Sequence, residues 1–460
     1  MTVDKSIFKA YDIRGVVGKS LTEEVVRDIG RVLGTMGLEK HVPSICVGRD
    51  GRLSGPSLSK ALMEGIVSTG MPVKDIGMVP TPVLYFATKH LMNGSGVAVT
   101  GSHNPPEYNG LKMMLDGLTL FGDDIQNIAK RVQEQDWRVA QTPARIEQVD
   151  VLEAYLDTII GDIKLARPMR VAVDAGNGVA GLTSVRLLKA LGCEVVELFT
   201  DVDGTFPNHH PDPSKLANLS DLKGYLATGD AEVGLAFDGD GDRLGVVTKT
   251  GNVIFPDRQM MLFAADILEK HPGAQIVYDV KCTRRLIPWV KSHGGVPVIS
   301  CTGHSLVKAK LRETGALFAG EMSGHLFFND GRWPGFDDGV YAGARLLEIL
   351  SRTANPTQVL DSLPTAFNTP ELQIPVAEGM NKVIVEKLKA ALHFDDATDV
   401  ITIDGVRAEW NDGFALVRAS NTTPVLVLRF EGDTPEALTR IQNQFMAAVK
   451  QVEPSLTLPQ

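Results

Sequence analysis

A strand-like segment recurs three times along this chain, each time entering a turn and then a helical pattern. The three copies are Ile45-Cys46-Val47-Gly48-Arg49-Asp50, Val171-Ala172-Val173-Asp174-Ala175-Gly176 and Ile276-Val277-Tyr278-Asp279-Val280-Lys281. Each leads to a second β-rich run (Val73–Gly77, Glu194–Leu198, Val296–Ser300), then to a helical pattern and a third run (Gly96–Thr100, Val233–Phe237, Ala316–Gly320). Short apolar runs alternating with longer helical patterns are βαβ units around a buried parallel or mixed sheet. The recurrence predicts three related α/β domains with mixed sheets, over residues 1–148, 149–252 and 253–364. A chain of 460 residues has room for about three to four domains.

From about Thr365 the rhythm changes. Leu372–Val376, Val400–Ile403, Phe414–Arg418 and Val425–Arg429 read as strands separated by turns, with a helix from about Pro435. That pattern predicts an α+β domain with an antiparallel sheet over 365–460. A linker is expected near Pro364 and Asn368-Thr369-Pro370.

In open α/β sheets, ligands bind at the carboxyl ends of strands. The loops leaving the three third strands carry Thr100-Gly101-Ser102-His103-Asn104-Pro105, Asp238-Gly239-Asp240-Gly241-Asp242-Arg243 and Glu321-Met322-Ser323-Gly324-His325. The first presents one hydroxyl between small residues and prolines. The second brings three carboxylates onto one point, and their mutual repulsion calls for a divalent cation. An EF-hand is excluded, because Arg243 and Lys249 stand where that loop needs glycine and glutamate. The third offers a carboxylate, a hydroxyl and an imidazole, a set suited to neighbouring sugar hydroxyls. Beyond these, Arg418-Ala419-Ser420-Asn421-Thr422-Thr423 gathers donors fit for a phosphate.

Gly176-Asn177-Gly178-Val179-Ala180-Gly181, with Glu197 about 20 residues on, matches the dinucleotide-binding fingerprint. It reads better as a tight strand-to-helix turn. The matching turns of the other repeats lack the glycines, and no nicotinamide chemistry is visible elsewhere.

Composition narrows the function classes. The chain is 43% apolar and 22% charged with a net charge of −10, so no basic surplus exists for nucleic acid or an anionic membrane. No apolar run reaches the ~18 residues of a membrane helix. Met1–Ser6 holds no long apolar stretch, so a secretory signal is not expected. Cys46, Cys193, Cys282 and Cys301 are scattered and read as buried thiols, so cytoplasm is the expected compartment.

The ordered set of four loops, with Tyr11-Asp12-Ile13-Arg14-Gly15, Lys112, Lys281 and Gly303-His304-Ser305, resembles the α-D-phosphohexomutase family, its bacterial phosphomannomutase/phosphoglucomutase branch. The resemblance covers essentially the whole chain. It implies a heart-shaped arrangement of four domains and an isomerase that interconverts hexose 1-phosphate and hexose 6-phosphate, for mannose and glucose. It implies that Ser102 is phosphorylated, that one Mg²⁺ is held by Ser102, Asp238, Asp240 and Asp242, and that Glu321 and Ser323 hold sugar hydroxyls. Arg418, Ser420, Asn421 and Thr422 would grip the phosphate not being transferred. Tyr11, Arg14, His103, Lys112, Arg243, Lys281, Gly303, His304 and His325 would line the cleft, with His103, Lys112, Arg243 and His325 in catalytic roles. Glucose 1,6-bisphosphate is implied as intermediate and activator, hexose phosphates as the only partners, a monomer as the working form, and nucleotide-sugar supply as the context.

Lys112, His103 and His325 remain the candidates for general base. Competing readings are a phosphoglucosamine mutase, a metal-dependent sugar phosphatase, a NAD-dependent dehydrogenase using Gly176, and a sugar-phosphate-binding protein without catalysis. The Glu-Met-Ser-Gly-His form of the third loop departs from the Glu-Gln-Ser-Gly-His form of phosphoglucosamine mutases, which argues against an amino sugar.

Overall fold

A computed structural model describes residues 3–421 and 423–458. Two compact units emerge: residues up to Pro256 together with Ser323–Ser362, and Asp257–Met322 together with the residues from Leu363 on.

The first unit holds two mixed sheets. In one, the strands lie in the order Ile13–Val16, Tyr108–Leu115, Gly96–Val99, Ile45–Arg49, Val73–Met78, Ile146–Gln148. In the other the order is Val253–Ile254, Leu244–Thr248, Val233–Phe237, Arg170–Asp174, Glu194–Leu198. Both share a plan: the first strand of the repeat lies between the second and third, parallel to each. The chain then turns back, so that Tyr108–Leu115 and Leu244–Thr248 run antiparallel to the third strands. Gly96–Val99 and Val233–Phe237 are buried at every position, because each is an inner strand of a mixed sheet with helices packed against it. The reversal leaves each third strand with a loop at its carboxyl end, and those loops carry Ser102 and Asp238–Arg243.

In the second unit, Gln275–Asp279 lies between Val296–Ser300 and Phe318–Gly320, parallel to both. The remaining sheet is antiparallel, in the order Phe367–Asn368, Val425–Gly432, Gly413–Ala419, Val406–Trp410, Asp399–Ile401, with Leu372–Pro375 also paired to Val425–Gly432. Helices Met380–Ala391 and Pro435–Val452 close its core, where Phe445 stacks on Phe394 and meets Phe430 edge-on.

One expectation needs correction here, and one strand is new. Of the linker expected near Pro364 and Asn368-Thr369-Pro370, the first part adjoins the passage from one unit to the other between Ser362 and Leu363. The second is built into the sheet: Phe367 and Asn368 pair with Gly432 and Glu431, and Thr369 N–H donates to the Phe430 carbonyl at 3.0 Å. The strand Val406–Trp410 went unforeseen because Arg407 and Glu409 interrupt its apolar pattern. Both charges are neutralised locally by a 2.7 Å ion pair, and Arg407 also donates to the carbonyls of Val280 (2.6 Å) and Cys282 (2.7 Å). The C-terminal segment is thereby fastened to the segment before it. Among the described residues, no helix is long and apolar enough to cross a membrane.

Candidate active site

Ser102 is buried with its backbone at φ +49°, a left-handed conformation costly for a non-glycine residue. The loop is held there by local bonds. Ser102 N–H donates to Thr100 Oγ1 at 2.8 Å, and that hydroxyl donates to Asp50 Oδ2 at 2.7 Å. The Ser102 hydroxyl donates to Asp238 Oδ2 at 3.1 Å and lies 3.2 Å from His103 Nδ1. Burial, followed by the charges of Arg243, Arg14 and Lys112, holds His103 well below the usual histidine range, so its imidazole is neutral. Arg14, on the strand Ile13–Val16, reaches the same loop through Asn104 Oδ1 at 2.6 Å and pairs with Asp12. Tyr11 is half-buried just before that strand.

Asp238, Asp240 and Asp242 are fully buried and their oxygens come within 4.8 Å of one another. Gly241, at φ +76°, makes the turn, and Asp238 Oδ1 accepts the N–H groups of Asp242 and Arg243 at 3.1 Å. Gly239 must lack a side chain: a Cβ there would lie 2.4 Å from the Ser102 carbonyl oxygen. Part of the mutual repulsion expected of these carboxylates is relieved within the chain. Lys112 Nζ donates to Asp240 Oδ2 at 2.7 Å and Asp242 Oδ2 at 2.5 Å, and Thr81 adds a bond to Asp240. Burial opposes the Lys112 charge, but Asp240 and Asp242 outweigh it and hold the ammonium well above its ordinary range. Lys112 is therefore a cation here rather than a base. Burial, with Asp242 and Asp240 beside it, drives Asp238 well up.

Arg243 Nε donates to His325 Nε2 at 3.0 Å and lies 3.7 Å from Asp238. His325 Nδ1 faces Asp337 Oδ2 at 2.9 Å, so the imidazole is gripped at both nitrogens. Burial works against the Arg243 charge, yet Asp238 and Asp242 keep it firmly protonated.

The second unit assembles its own polar set. Glu321 Oε1 accepts Gly303 N–H at 2.5 Å, and Gly303 takes φ +134° to open the helix His304–Thr314 with His304 buried. Lys281 pairs with Glu371 at 3.2 Å. Asp404 Oδ2 accepts both Arg418 Nε at 3.0 Å and Thr302 N–H at 2.8 Å, while Asn421 donates to the Thr302 carbonyl at 3.2 Å. Ser420 shares a 2.9 Å bond with Thr423. Thr422 lies outside the described residues. Ser323 falls in the first unit and Glu321 in the second, on one continuous loop.

Four family profiles tile the chain: the phosphoglucomutase/phosphomannomutase alpha/beta/alpha domains I, II and III over residues 5–139, 153–251 and 255–367, and the C-terminal domain over 371–448. A phosphoglucomutase of Neisseria gonorrhoeae is 56% identical over 98% of each chain. A phosphomannomutase/phosphoglucomutase of Pseudomonas aeruginosa is 53% identical over 100% of this chain and 98% of its own. A crystal structure of a phosphoglucomutase/phosphomannomutase family protein from Burkholderia thailandensis superimposes with a TM-score of 0.94 at 55% identity, over all of both chains. The chain belongs to the phosphoglucomutase/phosphomannomutase family.

As a member of that family it is a hexose-phosphate mutase, an enzyme of the isomerase class. The family is metal-dependent, and the residues present fit a divalent ion. Asp240 Oδ1 and Asp242 Oδ1 are buried with no hydrogen-bond partner among the described residues. Buried carboxylate oxygens in that state are the donors a hard cation takes.

The glycine fingerprint of this phosphohexomutase supports that loop. A Cβ on Gly178 would stand 2.9 Å from Gly239 Cα, and Val179 N–H donates to the Gly239 carbonyl at 3.1 Å. Glu197, in the ribose-binding place of the fingerprint, is spent on Lys189 at 2.6 Å. Sequence reasoning missed Asp337, Asp404 and Glu371. Asp337 precedes Asp338, the N-cap of helix Gly339–Leu350, so the pair reads as capping only. Asp404 lies in a turn and Glu371 just before the strand Leu372–Pro375, neither with a distinguishing spacing, and only the fold brings them to Arg418 and Lys281.

Proposed function

We propose that Ser102 carries the phosphoryl group in this mutase, and that the enzyme turns over both glucose and mannose phosphates. The observation that carries the reading is the buried Ser102 hydroxyl, 3.1 Å from Asp238 and 3.2 Å from a neutral His103. In the forward half-reaction the Ser102 Oγ–P bond breaks as phosphorus bonds to the 6-hydroxyl oxygen of a hexose 1-phosphate. The sugar hydroxyl loses its proton and Ser102 Oγ regains one. The hexose 1,6-bisphosphate turns end for end, and its 1-phosphate re-forms phosphoserine.

Phosphoryl transfer depends on positioning and charge neutralisation. Arg243 beside Asp238 and Lys112 beside Asp240 and Asp242, both held as cations, would offset the charge of the transferring group. His103 is placed to hold or return the proton at Ser102 Oγ. Asp238, Asp240 and Asp242 would hold the divalent ion, Mg²⁺ by its preference for carboxylates plus phosphate oxygens. When bound, the ion draws charge off the phosphoryl and serine oxygens. Arg418, Ser420, Asn421 and Thr422 supply the grip on the other phosphate, with Lys281, Gly303 and His304 beside Glu321 in the sugar-binding set. We read the chain as four domains, 1–148, 149–252, 253–364 and 365–460.

Glucose and mannose differ only at C2. Glu321 and Ser323 suit an adjacent pair of hydroxyls, and none of the proposed site residues has a task at C2. A site built to bond one C2 hydroxyl would discriminate by about 10⁴ or more. Competing glucose 1-phosphate, mannose 1-phosphate and glucosamine 1-phosphate in one Mg²⁺-containing assay tests the reading, together with intact mass and mapping of the phosphoryl group. Both neutral sugars should convert within roughly 200-fold of each other, the range small pocket contacts give. A larger bias, release of free phosphate as the main product, or a phosphoryl group on another residue would overturn it.

A further inference from the structure

We propose that Asp50 and Arg52 form a brace beneath the Ser102 loop that fixes the serine for transfer to sugar and shields its phosphoryl group from water. The proposal rests on Ser102 being the phosphoryl carrier. Both residues follow the first strand of the first repeat, in Gly48-Arg49-Asp50-Gly51-Arg52, and neither touches the carboxylate cluster in sequence.

Arg52 is 1% exposed, and all five of its guanidinium N–H groups are engaged. Nη2 donates to the carbonyls of Ser102 (2.9 Å) and Asn104 (2.6 Å), and Nη1 to those of Pro105 (2.6 Å) and Tyr108 (3.0 Å). Nε donates to Asp50 Oδ2 at 3.2 Å. One cation thus gathers three carbonyls of the loop, and that of Tyr108 at the start of the next strand, around itself. With every donor spent inward, none remains for a substrate, so Arg52 is a positioning residue.

Asp50 completes the frame from the other side. Its Oδ2 accepts Thr100 Oγ1 at 2.7 Å and Gly101 N–H at 3.2 Å, and its Oδ1 accepts Arg52 N–H at 3.0 Å. Burial pushes Asp50 up and Arg52 down, and each is countered by the other's charge. The fit is close. A Cβ on Gly101 would lie 2.5 Å from Arg52 Cζ, and the Phe206 ring covers the guanidinium with its centroid 5.2 Å away. Gly101 is therefore glycine so that the brace can reach the loop.

The Ser102 carbonyl that Arg52 holds is the same atom that Gly239 approaches. Arg52 consequently sets both the serine's left-handed backbone and its height above the carboxylate loop. A misplacement of about 1 Å can cost roughly 10²-fold in rate. A loosened loop also admits water. The water oxygen would bond to phosphorus, the Ser102 Oγ–P bond would break, inorganic phosphate would leave, and Ser102 Oγ would take a proton from the water.

The test uses Arg52→Lys, which keeps the charge but offers three donors, and Asp50→Asn, which keeps the shape, in the full chain. Three quantities are measured: kcat and KM with glucose 1-phosphate, and phosphate loss from phosphorylated enzyme without sugar, followed by intact mass. Unfolding cannot mimic this result, since phosphoserine in an unfolded chain is an unactivated monoester that hydrolyses very slowly. The expected result is a kcat lower by about 10- to 100-fold, KM within about threefold, and phosphate loss faster by at least about threefold. Wild-type kcat and phosphate loss in the folded variants would overturn the proposal, as would a kcat loss that only tracks the folded fraction. Should Arg52→Lys fail to fold, Asp50→Asn decides on the same readouts. A phosphoryl group mapped to another residue of the wild-type enzyme overturns the underlying reading instead, and is seen before any variant is made.

Discussion

Two donor-rich loops differ in how many bonds hold their backbone. The Ser102 loop is buried at Gly101 and Ser102, opens to solvent from Pro105, and is held from beneath by Arg52, Asp50 and Thr100, with bonds aimed mostly at its own backbone. The Arg418–Asn421 segment starts on buried Arg418 at the end of a strand and is half-buried from Ala419 on. Its own side chains act as anchors, Arg418 on Asp404 and Asn421 on the Thr302 carbonyl, and Asn381 holds the Ser420 carbonyl at 3.0 Å. A reacting oxygen must be placed within tenths of an ångström, so its loop is over-determined. A loop proposed to grip and release the distant phosphate needs a fixed cation and accessible donors instead. Rigidity follows the chemistry each loop is asked to do.

Removing the reacting oxygen is the harshest way to break this comparison. Ser102→Ala should lower turnover by more than about 10³-fold while leaving substrate affinity nearly unchanged. Steady-state kinetics with an equilibrium binding titration check both halves. Turnover like that of the parent would end the carrier assignment.

Asp240→Asn comes next, because it replaces an anionic ligand and also loosens Lys112. The Mg²⁺ concentration for half-maximal activity should rise at least about tenfold. An unchanged activation curve in this variant and in the matching changes at Asp238 and Asp242 would remove the metal site.

At the other loop the effect should fall on binding. Losing a charge-assisted contact from Arg418→Ala is worth about 1.5–3 kcal/mol, or roughly 10- to 150-fold in affinity. KM for hexose phosphates should rise accordingly, with phosphorylation of Ser102 by hexose bisphosphate less affected. A variant that lost Ser102 phosphorylation as severely would erase the difference between the loops.

The smallest effect sharpens the burial side of the comparison. Asp338 caps helix Gly339–Leu350 through Tyr341 N–H at 2.9 Å and accepts the Tyr155 hydroxyl, yet burial lifts its carboxyl to about 7. In an unfolded chain it titrates near ~3.9. The folded state therefore binds the extra proton, and this stabilising contribution is complete below about pH 4 and lost as pH rises through 7. Asparagine keeps the cap without the charge. Thermal midpoints at pH 5.5 and 8 should show the parent falling relative to Asp338→Asn by a few degrees, a shift of about 1–2 kcal/mol in a chain this size. Parallel midpoints at both pH values would place the titration elsewhere.

The three repeats, the change to an antiparallel tail, and the loops holding Ser102, Asp238–Asp242 and Glu321–His325 were legible in the residues themselves. Those signals are local: apolar runs of strand length, glycines where the backbone must turn tightly, and chemistry placed at the ends of third strands. Lys112 on Asp240 and Asp242, Asp337 behind His325, Asp404 under Arg418, and Arg52 reaching across to Ser102 and Tyr108 were decided only by the tertiary structure. None of these pairs has a sequence spacing that marks it. Each exists because strand order delivers a charge to a place without water, and there it must find an opposite charge or a set of carbonyls, however far along the chain they lie. The strand Val406–Trp410 was hidden for the same reason. Arg407 reads as surface until the fold supplies Glu409, Val280, Cys282 and the face of Phe414 to bury it against.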